Sequence, residues 1–190
     1  MPSPQSEELA SIFTDGWACT REYYQSHRNI VLRMASVNFR IMKFIRDSPD
    51  EALTIHMPYL SQVTGQTFTP AEGRIIYSSL DPFFTFETQN DWYHNPNSPY
   101  YYENLNGAII NSFAKQGVFK TTVPRVSDVV VANEVYVELE NLKATCDKLL
   151  SQLDAAGAGQ LAAQAHKFYD AYDYYDAEKA ARAALQSLRK

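Results

Sequence analysis

Four histidines, two cysteines and a few closely spaced carboxylates are the side chains of this 190-residue chain from which catalysis or metal binding would be built. A helical metal site sets two histidines three or four residues apart, so that one face presents both. His27, His56, His94 and His166 are scattered, and none lies at that distance from another. A reactive thiol needs a base beside it. Cys19 has no neighbouring His and no second Cys near it in sequence, and Cys146 sits on an apolar seam where a small buried residue fits. Glu72 with Asp81, and Glu87 with Asp91, are the carboxylate pairs that acid–base chemistry would use. Nothing fixes their separation. Glu72 stands where a helix-capping Glu belongs, and Asp81 precedes the turn at Pro82. The chain holds no G-x-G-x-x-G, no Walker-type phosphate loop, no H-E-x-x-H and no G-x-S-x-G. It reads as a non-enzyme without metal or cofactor.

Binding chemistry has one stronger candidate. Residues 81–98 (DPFFTFETQNDWYHNPNS) carry three Phe, one Trp, one Tyr and two Pro with no helical period, and Tyr100-Tyr101-Tyr102 follows. Trp92, Tyr93, Phe84 and Tyr101 are the candidate ligand-binding residues, because such rings offer apolar area and, for Trp and Tyr, a polar tip. The alternative is a satellite hydrophobic cluster that holds a long loop against helices. The tyrosines at 169, 172, 174 and 175 admit the same two readings. Arg21, Arg28, Arg33 and Arg40 are cations that an anion would meet, although Arg33 and Arg40 fit the solvated face of a long helix.

These groups must be positioned by a small, mostly helical domain. Apolar residues make up 45% of the chain and charged residues 21%, enough for a packed core. Seventeen basic against 22 acidic residues leave no broad basic field, so a dedicated nucleic-acid binder is not expected. Two cysteines exclude a disulfide scaffold. No apolar run approaches the roughly 20 residues of a membrane span. The N-terminal MPSPQSEELASIF lacks the basic and apolar regions of a signal peptide.

The expected fold is mainly α, with at most one or two short strands and a C-terminal helical hairpin. Ser6 to Phe13 reads as a short helix, and Trp17 to Thr20 as a strand or extended link. Asn29 to Asp47 is the strongest helix. Ile30, Met34, Val37, Ile41 and Ile45 form one apolar stripe, and Val31, Ala35, Phe39 and Met42 a second. Arg33, Ser36, Arg40 and Lys43 fill the polar arc. This predicts a central helix packed on more than one side, in which Ile41→Asp unfolds the domain.

Ser48-Pro49-Asp50-Glu51 and Thr69-Pro70-Ala71-Glu72 are helix-start signals. Gly65 and Gly117 are stops, and Pro58 should kink or split the helix it interrupts. Ser98-Pro99 starts a helix with Tyr101, Tyr102, Leu105, Ala108, Ile109, Ser112 and Phe113 on one face. Val129-Val130-Val131 reads as a short strand or a buried turn. Val135, Leu139, Leu142, Cys146, Leu149 and Leu153 alternate four- and three-residue steps, the spacing of a coiled-coil seam. The AAGAG stretch at 155–159 is a hinge or turn, and Asp173 is an N-cap inside the Ala- and Tyr-rich end. The expected division is 1–132 and 133–190, the latter a candidate element for homo-oligomerisation.

The order of certain motifs resembles one known family. REYYQSHRNIVLRM, then FIRDSPDEAL, FTPAEGR and AIINSFAKQGVF, then the valine-rich Val126 to Val131, are similar to the C-terminal region of substrate-binding proteins of ABC importers of the nitrate/sulfonate/taurine type. The resemblance covers roughly residues 12–135. It implies a non-catalytic part of a longer, two-lobed α/β solute-binding protein, with a small anion or sulfonate as ligand and ABC-transporter membrane subunits as partners. It implies an extracytoplasmic location, in periplasm or at the cell surface; without a signal peptide in the sequence, a cytoplasmic one stays open. The alternative reading is a helical protein–protein interaction or oligomerisation module.

Overall fold

The computed structural model describes residues 18–78 and 84–188. The fold is mainly α, ending in a helical hairpin, and no strand occurs among the described residues. In chain order the helices are α1 (Arg21–Ser26), α2 (Arg28–Asp47), α3 (Pro49–Thr64), α4 (Pro70–Ser78), α5 (Gln89–Tyr93), α6 (Tyr102–Lys115), α7 (Val126–Val129), α8 (Ala132–Ala155), α9 (Gly159–Asp170) and α10 (Tyr174–Leu188). The expected helix at Ser6 to Phe13, residue Trp17 and the turn at Asp81-Pro82 lie outside the described residues.

Two compact units emerge. One comprises residues 18–28 and 90–134, the other residues 29–78, 84–89 and 135–188. The boundary expected after residue 132 falls where α8 begins, while the residues beyond 134 share a unit with α3, α4 and nearly all of α2.

In the first unit, Thr20 is extended and its hydroxyl accepts the Tyr23 amide at 3.0 Å, which caps α1. Residues 18–20 are therefore an extended link, not a strand. Arg21 donates to the Glu134 carboxylate at 2.6 Å and to the Ser127 carbonyl at 2.9 Å. The valine-rich stretch forms neither strand nor buried turn. Val126–Val129 is one helical turn, entered where the Asp128 carboxylate accepts the Arg125 amide at 3.0 Å, and Val129 is exposed. α6 starts at Tyr102, four residues after Ser98, and its buried residue is Ile110; Ile109 and Phe113 are exposed.

Among its described residues the second unit shows three apolar centres. Ala52, Leu53, Met57 and Tyr77 join α3 to α4, with Phe44 and Ile45 of α2 against them. Pro58 does not split α3. Proline removes one helical hydrogen bond, and the buried residues on both sides of it, Leu53, Met57 and half-buried Leu60, belong to one cluster that holds the helix continuous. Gly65 at φ +71° ends α3 in the left-handed conformation that glycine adopts without strain. The Thr69 hydroxyl accepts the Glu72 amide at 3.3 Å, and the Glu72 carboxylate accepts the Thr69 amide at 2.8 Å, a reciprocal cap that opens α4.

The second centre is the hairpin. Leu150 and Leu153 of α8 meet Ala162 and Ala165 of α9 and Ala181 and Ala184 of α10, where small side chains bring the helices close. Gly157, at φ +66°, turns α8 toward α9. The third centre is aromatic. Phe86 lies 5.6 Å from Phe39, 5.3 Å from Tyr136 and 5.3 Å from Tyr174, measured between ring centroids. It anchors the aromatic loop to α2, α8 and α10.

Candidate functional site

Rings at about 100° per residue divide α2 into two apolar sides. Leu32, Ser36 and Phe39 are buried. Ile30, Met34, Val37 and Ile41, roughly opposite, are 39%, 39%, 44% and 47% exposed. The stripe expected at the centre of the fold is thus an open surface for three turns, and only its end, Ile45, packs, with neighbouring Phe44, against α3 and α4. The second expected stripe contributes one buried residue, Phe39; Val31, Ala35 and Met42 are half-buried.

The helix that displays this surface is firmly held from behind. Arg33 makes two hydrogen bonds to the Asp176 carboxylate, at 2.6 and 2.8 Å. Asp173 accepts the Asp176 amide at 3.2 Å, which confirms it as the α10 N-cap. Hydrogen bonding from Arg33 holds the Asp176 carboxyl below the usual range, while burial pushes that of Asp173 up. Ser36 donates to the Tyr172 carbonyl at 2.7 Å, and Phe39 meets Phe86 edge to face. Tyr172 in turn donates its phenol hydroxyl to Glu87 at 2.8 Å.

α3 carries exposed apolar residues of its own. Ile55, Tyr59 and Val63, one turn apart, are each about two-thirds exposed. An open groove of about 420 Å³ is lined by Leu53, Thr54, Met57, Pro58, Phe68 and Pro70, with Arg74 paired to Asp50 at 2.6 Å.

Three of the four residues expected to bind a ligand are engaged with neighbouring rings of the first unit. Trp92 is buried and stacks on Tyr100 with centroids 5.3 Å apart. Tyr93 meets Tyr102 at 5.6 Å, and burial pushes its hydroxyl up to about 12. Tyr101 is half-buried and meets Tyr102 edge to face at 5.2 Å. Phe84 is half-buried and belongs to the second unit.

Most of the other chemical candidates have structural partners. His56 stands 3.2 Å from the Tyr77 hydroxyl, His27 stacks on Tyr23, and His166 lies 3.0 Å from the Asp154 carboxylate. Cys146 is fully buried, its thiol pushed up to about 12 by burial and directed at the Tyr174 carbonyl. Cys19 is exposed. Glu72 caps α4, Asp91 accepts from Asn95, and Glu87 accepts from Tyr172. Among the described residues, no three His, Cys, Asp or Glu side chains converge on a metal position, and no helix is long and apolar enough to cross a membrane.

The open face was missed because both sides of α2 are apolar. A signal for it exists in the sequence: Ile30, Met34, Val37, Ile41 and Phe44 alternate four- and three-residue steps, the same spacing that marks α8. No family model, curated protein or solved structure matches this chain.

Proposed function

We propose that the chain is a non-catalytic helical interaction module whose contact surface is the open apolar line of α2. One observation carries this reading: Ile30, Met34, Val37 and Ile41 form a row at helical spacing in which each side chain stays 39–47% exposed. Single exposed apolar residues are ordinary, but a row on one face marks a site of association. Burying such a side chain from full exposure is worth about 1.5–3 kcal/mol. With 39–47% of each still exposed, covering the row supplies roughly half of that per residue, a few kcal/mol in all toward a complex. The test is a photo-crosslinking residue at Val37, with exposed Gln160 as control, in the cells that produce the protein. A discrete adduct from position 37 alone supports the reading. No adduct, or equal labelling from both positions, rejects it.

A second reading is the solute-binding one, with an importer's membrane subunits as partners outside the cytoplasm. It rests on the motif order in residues 12–135. The feature that favours it is the groove between α3 and α4, whose volume of about 420 Å³ lies in the range of small-molecule sites. Titration calorimetry with nitrate and with taurine tests it, and the absence of heat with both removes its support.

A further inference from the structure

We draw no further inference here: the strongest candidate, the exposed apolar face of α2, carries nothing beyond the contact surface already proposed, because nothing in the structure shows what covers it, its Arg33 being ion-paired with Asp176 and its Lys43 and Arg46 with Asp47.

Discussion

Ser36 donates its hydroxyl to the carbonyl of Tyr172 at 2.7 Å, across 136 residues of sequence. Tyr172 sits at φ +60°, a left-handed conformation that costs a residue with a side chain about 1–3 kcal/mol. The surrounding structure holds it there. Ser36 binds its carbonyl, Glu87 accepts its hydroxyl, and Phe86 lies against its ring at 6.0 Å. The same contact fixes α2 to the corner between α9 and α10, so it decides which side of α2 is packed and which is open.

Ser36→Ala tests that relationship. It removes the donor and leaves the buried Tyr172 carbonyl without it, a loss of about 1–3 kcal/mol. Urea unfolding measures this directly. A loss below about 0.5 kcal/mol, within the range of an ordinary surface change, shows that the bond does not hold the corner.

Ile41→Asp separates the open side from the packed one. The apolar pattern predicts unfolding, but Ile41 is 47% exposed, so the new carboxylate remains hydrated. The expected cost is about 0.5–1 kcal/mol or less. Leu32→Ala, at a fully buried position on the other side, is expected to cost about 2–5 kcal/mol. Thermal melts of the two variants decide it: if Ile41→Asp falls as far as Leu32→Ala, the outer row is not open in solution.

These two residues also show what the sequence made legible. Of the predicted seam, Val135, Leu139, Leu142, Cys146 and Leu153 are buried and Leu149 is half-buried, with Leu150 beside it taking the buried place, because α8 has one apolar side to pack. α2 has two, and periodicity alone cannot choose between them. The choice is made by Ser36 and Arg33, both assigned to the polar arc, whose partners Tyr172 and Asp176 lie far away in sequence. The aromatic loop was recognisable as an unusual segment. Packing against helices is one of its two sequence readings, but the partners are not legible, since the rings around Phe86 come from α2, α8 and the α9–α10 corner. Caps were read well where they are local: Thr69 with Glu72, Gly65 and Asp173. Ser48 was not, because its side chain makes no cap bond to α3.

The Arg33–Asp176 pair gives the protein an acid-sensitive contact. Asp176 has a depressed folded value, first because Arg33 donates to it. Such a carboxylate contributes stability that is complete above the unfolded value of about 3.9 and fades as pH falls through the folded one. Asp173 has the opposite sign: burial raises it, so its ionised form opposes folding above its folded value and this opposition vanishes in acid. Asp176→Asn is therefore expected to flatten the loss of stability below about pH 4, by up to about 1.4 kcal/mol per pH unit. Asp173→Asn keeps an N-cap acceptor and is expected to leave that acid limb in place. Urea midpoints measured from about pH 2.5 to pH 7 distinguish them; an unchanged acid limb in Asp176→Asn shows that other carboxylates govern it.

Gly73 sets how closely α4 approaches α3, and here two effects compete. Replacing a mid-helix glycine by alanine favours the helix by about 0.5–1 kcal/mol. A Cβ at Gly73, however, would lie 2.4 Å from Leu53 Cδ2 and 2.7 Å from Met57 Sδ. Both neighbours are buried, and Leu53 also belongs to the cluster that carries α3 past Pro58. Moving them is overpacking, which costs about 1–3 kcal/mol. The steric cost exceeds the propensity gain, so Gly73→Ala is expected to destabilise by about 1 kcal/mol. The sign follows from contact rather than backbone freedom, and a second variant checks the cause. In a Gly73→Ala, Leu53→Ala background the clash with Cδ2 is gone, so the double variant should lose less than the two single losses combined. Simple additivity in urea unfolding would show that the Leu53 contact does not set the approach of the two helices.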